Sequence, residues 1–364
     1  MMEIWNHRRP LRHLRKAIDS GTLTLGFIGG SITDARSRNN WPEPVIAWFA
    51  ETYPQVRLFV ENAAIGGTGS ELAVFRAEHD LIERQCDIVF IDYAVNDNEE
   101  PAERRLKTRE GLMRKLLHGA MRDVVLVHTF CQSFYPEMMA GGVPASIADF
   151  EKLADHYQTG SVWMGKYAWE EIKRGRMRWE EWLPDGLHPT ERGSLSYAGS
   201  VIAYLEKELS EPMLAAIPDQ ASPLPEPMHR GNWERTSSLP FSDIVTEGPW
   251  AIRRWPHLEW IDQALTTSAI GARLQLSFVG RGLSFGLDFG KYSCEFRYRL
   301  DRGPWETTHI PRPDWVPNEG WYRVLTIADD LPHTTHEFEM EVVHGNTAEC
   351  KGTNCRIGLI GIIG

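Results

Sequence analysis

Four short apolar runs with helical stretches between them constrain the fold of this chain more than any other feature. TLTLGFI (22–28), VRLFVEN (56–62), DIVFIDYAV (87–95) and DVVLVHTF (123–130) are continuous rather than alternating, the pattern of strands covered on both faces. Between them, PEPVIAWFAETY, ELAVFRAEHDLIERQ and AERRLKTREGLMRKLLHGAM have helical spacing and helix-forming composition. Strand and helix in alternation imply an α/β domain, a parallel sheet with helices on both sides. Ligands of such sheets sit beyond the carboxyl ends of the strands, near the point where strand order reverses.

The pattern changes partway along the 364 residues, a length that exceeds one ordinary core. Pro212, Pro218, Pro223, Pro225 and Pro227 fall between Glu211 and Trp233, where neither a helix nor a central strand tolerates them. Beyond them, ARLQLSFVGRGLSFGLDFG, KYSCEFRYRLDRGPWETTHI and WYRVLTIADDLPHTTHEFEMEVVHG alternate with period two between Gly, Asp and Pro turn signals. That is the pattern of a β-sandwich. The expected organisation is an α/β domain over 1–212, a proline-rich linker over 213–229 and a β-sandwich domain over 230–364.

Small and amide residues replace bulk at three neighbouring strand ends. The first strand runs into Gly29-Gly30-Ser31, the second into Asn62-Ala-Ala-Ile-Gly66-Gly67-Thr-Gly69, and the third into Ala94-Val95-Asn96-Asp97-Asn98. Downstream, Leu183-Pro-Asp185-Gly-Leu-His188-Pro189 precedes a helix with Leu195, Ala198, Ile202, Leu205 and Leu209 on one face. Each block alone reads as a turn, a helix cap or a loop holding a satisfied histidine. Taken jointly, they supply the residue types that acyl transfer needs.

In their order, Gly-Gly-Ser-Ile-Thr, Ile-Gly-Gly-Thr, Val-Asn-Asp and Asp-Gly-Leu-His resemble the four blocks of the SGNH (GDSL-type) hydrolase superfamily over roughly residues 10–210. Gly30 stands where the usual first block has Asp, a variant similar to some carbohydrate-active members. The resemblance implies a flavodoxin-like three-layer α/β/α domain and ester hydrolysis. Of Gly66 and Gly67, it is Gly67 that aligns with the glycine of the second block. The stretch SFVGRGLSFGLDFG…FRYRLDRGPW resembles, more loosely, the jelly-roll domain of some carbohydrate esterases.

The residue chemistry runs parallel to the resemblance. Ser31 is a poor nucleophile until a base takes its proton, and His188 is the candidate base. Asp185, three residues earlier, would hold the imidazole tautomer and stabilise the imidazolium. The oxyanion needs preorganised donors, and the Ser31 N–H, the Gly67 N–H and the Asn96 amide stand at three strand ends. Asp34, Trp41, Tyr135 and Trp182 are candidates for the substrate pocket, with Asn40 and Phe134 close to the same motifs, although aromatic residues there serve equally well as packing.

A net charge of −11 argues against nucleic acid as a partner. Neither GxGxxG nor GxxxxGK[ST] is present, and His333, His336 and His344 have no metal-ligand frame, so no cofactor and no metal are expected. MMEIWNHRRPLRHLRK is not followed by an apolar signal core, and no apolar run approaches the roughly 20 residues of a membrane span. Five scattered cysteines suit reduced thiols in a cytoplasmic protein, although Cys350 and Cys355 are spaced closely enough to pair. The expected activity is a serine esterase removing a small acyl group, acetyl first among them, from a small-molecule or oligosaccharide ester. The alternatives are a lipolytic or thioesterase enzyme with a broader acyl pocket, and a glycan-binding protein without catalysis.

Overall fold

The computed structural model describes residues 3–210, 223–255, 258, 260–345 and 349–364. The chain forms two compact units, Met1–Glu234 and Arg235–Gly364.

The first unit has strands β1 (Trp5–Asn6), β2 (Thr22–Gly29), β3 (Arg57–Asn62), β4 (Ile88–Asp92), β5 (Asp123–Val127) and β6 (Gly160–Val162). They form one sheet in the order β1-β6-β5-β4-β2-β3, parallel except for β1, which pairs antiparallel with β6 at the edge. Counted from β2, this is the flavodoxin-like order 2-1-3-4-5, with its switch point between β2 and β4.

Its helices are α1 (Arg12–Ser20), α2 (Pro42–Thr52), α3 (Ser70–Ala77), α4 (Ala102–Leu117), α5 (Tyr135–Met139), α6 (Ala145–Tyr157), α7 (Met164–Lys173), α8 (Trp179–Trp182) and α9 (Glu191–Ser210). Helices α3, α4 and α6 pack in succession, while α2 and α7 pack on α9. Right-handed crossovers in this strand order put the two groups on opposite faces of the sheet. Apolar strands between two helical layers bury Phe27, Phe90 and Val125 fully. The edge strand β3 departs from the sequence pattern, because its Phe59 and Val60 stay exposed.

The expected linker is corrected over its second half. Residues 213–222 lie outside the described residues, but 223–234 belong to the first unit and lie along α4. The Met228 and His229 N–H groups donate to the fully buried Glu110 carboxylate at 2.6 and 2.7 Å, and the Tyr157 hydroxyl donates at 2.6 Å. Arg114 donates to the Pro225 carbonyl at 2.7 Å and pairs with Glu234 at 2.5 Å. Trp233 is fully buried, and Gly111 makes room for its backbone, where a Cβ would lie 2.5 Å from the Trp233 carbonyl carbon. Proline rules out regular structure here without ruling out docking.

The second unit holds β7 (Thr236–Ser238), β8 (Val245–Glu247), β9 (Ala251–Arg253), β10 (Ala264–Thr267), β11 (Arg273–Gly280), β12 (Gly282–Asp288), β13 (Glu295–Leu300), β14 (Glu306–Thr307), β15 (Tyr322–Ala328), β16 (Thr334–Val343) and β17 (Cys355–Ile363). Two antiparallel sheets, β15-β12-β17-β10-β9 with β7 on β17 and β14-β13-β16-β11-β8, enclose one core. Strand β11 shows why: Leu274, Leu276 and Phe278 point inward while Arg273, Gln275 and Ser277 face solvent. No disulfide joins the five cysteines, Cys350 and Cys355 included. Among the described residues, no group of His, Cys, Asp and Glu is arranged to hold a metal ion, and no helix is long and apolar enough to cross a membrane.

Candidate active site

The ends of β2, β3 and β4 converge at the switch point. After β2 the chain turns at once, with the Thr33 and Asp34 N–H groups donating to the Gly30 carbonyl at 3.1 and 3.0 Å. Ser31 therefore sits on a tight turn at the sheet rim. The loop after β3 runs beside it, as the Ile65 N–H donates to the Gly29 carbonyl at 3.0 Å. Gly66 then lies against Ser31: a Cβ built there would be 3.4 Å from the Ser31 Cβ. After β4, the Asn96 side chain fills the space that a side chain at Gly30 would need. A Cβ at Gly30 would be 2.0 Å from Asn96 Oδ1 and 2.5 Å from Nδ2. A glycine at 30 thus leaves the Asn96 amide in its place beside the Ser31 turn.

His188 arrives from the turn between α8 and α9. Its Nε2 is 2.9 Å from Ser31 Oγ, and its Nδ1 is 2.9 Å from Asp185 Oδ2. The other Asp185 oxygen accepts the Leu187 and His188 backbone N–H groups at 2.9 and 2.7 Å, which fixes the turn. An ionised Asp185 only accepts, so Nδ1 carries the proton and Nε2 faces the serine hydroxyl as acceptor. Burial pulls the Asp185 carboxyl upward, but the His188 ring and the two backbone donors outweigh it and hold it below the usual carboxylate range. Both side chains are about half exposed, at 47% for His188 and 55% for Asp185. The turn is fastened from outside by the Gln132 N–H, which donates to the Gly186 carbonyl at 2.9 Å. Thr190 caps α9 through the Gly193 N–H, and Ser194 Oγ ties that helix to the Asn39 carbonyl at 2.9 Å.

The three expected oxyanion donors are near Ser31 and unengaged. The Ser31 and Gly67 N–H groups and the Asn96 amide make no hydrogen bond among the described residues. Gly67 adopts φ +72°, a left-handed conformation that favours glycine, and the position its Cβ would take is open.

The pocket candidates divide. Trp41 and Trp182 are corrected: both are fully buried. Trp41 packs on Phe27 and Phe90 and donates to Thr33 Oγ1 at 2.9 Å, while Trp182 packs among Phe130, Trp179 and Tyr197. Asp34 is also buried and fully engaged, accepting from Arg36 and from the Gly66 N–H. Tyr135 is half-buried against Trp169 and Trp179.

Two residues to which the sequence assigned no role support the β4 loop. Asp97, beside Asn96, accepts the Ser70 N–H at 2.9 Å and pairs with the fully buried Arg109 at 2.8 Å. Arg109 also donates to the Ser146 carbonyl and hydroxyl and to the Tyr93 carbonyl, and lies 4.0 Å over the Phe150 ring. Its phase on α4 with Leu112 and Leu116 was the available signal: a charged residue within a buried stripe needs a partner.

Against known proteins, no family model and no curated protein matches the sequence. Solved structures do match, among them a two-domain esterase (CEX) active on acetylated mannans, and the same esterase co-crystallised with mannopentaose. They superpose with TM-scores of 0.80 and 0.79 at 24% identity, covering 98% of this chain and 96% of theirs. The fold is that of a two-domain esterase. The likeness runs through both units, so the β-rich half belongs to the shared architecture as much as the α/β half does.

Proposed function

We propose that the chain is a serine ester hydrolase of the SGNH type, acting on small acyl esters of a carbohydrate, acetyl esters first. The observation that carries the reading is the unbroken relay from Asp185 through His188 to Ser31, 2.9 Å at each step, set beside three unengaged donors. The mannan-active esterase of the same fold supports a carbohydrate ester as substrate.

In this mechanism Ser31 Oγ attacks the ester carbonyl carbon while His188 Nε2 takes the hydroxyl proton. The carbonyl oxygen becomes an oxyanion facing the Ser31 and Gly67 N–H groups and the Asn96 amide. The intermediate collapses, the alcohol leaves with the proton from His188, and the acyl group remains on Ser31. Water, deprotonated by His188, then releases the acid. Asp185 stays ionised throughout and stabilises the imidazolium.

The test is a panel of acetylated oligosaccharides and aryl esters of increasing acyl length, run beside labelling by a serine-directed phosphonate. Hydrolysis that falls with acyl length, and labelling abolished by Ser31→Ala, are expected. A preference for long acyl chains would move the assignment to a lipolytic or thioesterase activity. Glycan binding without turnover or labelling would refute an enzymatic role.

A further inference from the structure

We infer that Asp34 is a positioning residue that holds the Ile65–Gly66 peptide, where the turn carrying Gly67 begins, against the turn of Ser31, so that the Gly67 N–H stays where the oxyanion forms. This rests on the ester-hydrolysis reading above.

The turn that carries this N–H is weakly held. It spans Ile65 to Thr68 and is closed by the Thr68 N–H on the Ile65 carbonyl at 3.3 Å, with the Thr68 hydroxyl on the same oxygen at 2.9 Å. A positive φ at its third residue is the type II pattern. No side chain of its own braces the turn, because two consecutive glycines form it and the space a Gly67 Cβ would take is open.

Asp34 anchors the start of that turn. Its Oδ2 accepts the Gly66 N–H at 3.0 Å, a contact from the nucleophile's own turn to the peptide that begins the donor turn. The carboxylate is 5% exposed and would be costly there without a countercharge. Arg36 provides it, with Nε on Oδ1 at 3.0 Å and Nη2 on Oδ2 at 2.5 Å, and the Arg36 N–H adds a third bond to Oδ1 at 2.9 Å. Burial pulls the carboxyl upward, but these donors together hold it below its ordinary range. The bond to Gly66 is therefore made by a charged acceptor, about twice as strong as a neutral one. Because Asp34 is only three residues from Ser31, it fixes the donor relative to the nucleophile rather than to the distant core.

The test measures kcat and KM on an acetyl ester, and affinity for a boronic acid that adds to Ser31 as a tetrahedral mimic. Asp34→Ala is expected to lower kcat by about 10- to 100-fold, with KM within about threefold and boronate affinity falling in step with kcat/KM. Asp34→Asn keeps an acceptor for Gly66 and should recover most of the rate. Gly67→Ala, which disfavours the positive φ without a clash, should lower kcat in the same way. The double variant should be little worse than the poorer single, since both act on one donor. Should Asp34→Ala not fold, Asp34→Ser, too short to reach Gly66, carries the same expectation. Wild-type kcat in the alanine or serine variant, a loss confined to KM, or multiplicative losses in the double variant would overturn the inference alone. A wild-type protein that neither turns over esters nor binds the boronate would instead remove the ester reading on which it stands.

Discussion

Replacing Gly30 by alanine places a methyl carbon 2.0 Å from Asn96 Oδ1 and 2.5 Å from both Cγ and Nδ2. Ordinary contacts need at least about 3 Å, so the Asn96 amide must move by about 1 Å or turn away. The backbone itself accepts the change, because Gly30 is not among the positive-φ glycines. What yields is the far end of a side chain that makes no hydrogen bond among the described residues, so the folded state loses little. The unfolded chain loses entropy, a gain in stability of about 0.4–1 kcal/mol that offsets the residual clash. Activity is expected to behave in the opposite way. If Asn96 donates to the oxyanion, its displacement removes about 2.7–4 kcal/mol of transition-state stabilisation, or roughly 10²–10³ in kcat. The assay is steady-state hydrolysis of an acetyl ester beside thermal unfolding, for Gly30→Ala, Asn96→Ala and the double variant. Melting temperature should be near that of wild type in Gly30→Ala while kcat collapses. In the double variant the shorter side chain at 96 leaves room for the methyl, so its kcat should equal that of Asn96→Ala. A Gly30→Ala enzyme with wild-type kcat, or one whose loss multiplies with that of Asn96→Ala, would refute both the donor role and the packing argument.

Ser31→Ala and His188→Ala should each reduce kcat by orders of magnitude, with the double variant little worse than either, as measured by ester turnover; additive losses would mean that the two do not share a step. Burial pulls the Glu151 carboxyl upward, but His128, Arg8 and Ser161 hold it down at about 2, so its stabilisation is complete above the unfolded value near 4.5 and is lost as pH falls through about 2. Unfolding free energies of wild type and Glu151→Gln should therefore converge by about 3 kcal/mol between pH 5 and pH 2, and a constant difference would contradict the pairing. A chain ended after residue 222 should melt lower or aggregate relative to one ended after Glu234, because it strips the Met228 and His229 donors from a buried Glu110 carboxylate. Equal melting of the two would place the functional boundary back in the proline run.

What the sequence reveals about this protein is set by how local each cause is. Continuous apolar runs and the glycines that end them are local, and the order of strands and the convergence of Ser31, Gly67 and Asn96 at one rim follow from them. Strands β1 and β6, of two and three residues, are too short to show any period; β6 exists because β5 offers it an edge, and β1 because β6 does. Trp41 and Trp182 were ambiguous for a different reason: an aromatic residue beside a motif has the same spacing whether it lines a cleft or fills the core, and only burial separates the two. The docking of 223–234 on α4 depends on Glu110, more than a hundred residues away, so a proline run that reads as a free linker becomes a strap. Gly30 joins both levels. Its composition says that no side chain fits, and the sequence alone leaves open whether substrate, a phosphate or another part of the protein takes the space. The fold supplies Asn96, a residue from a different strand with its own candidate role in the chemistry.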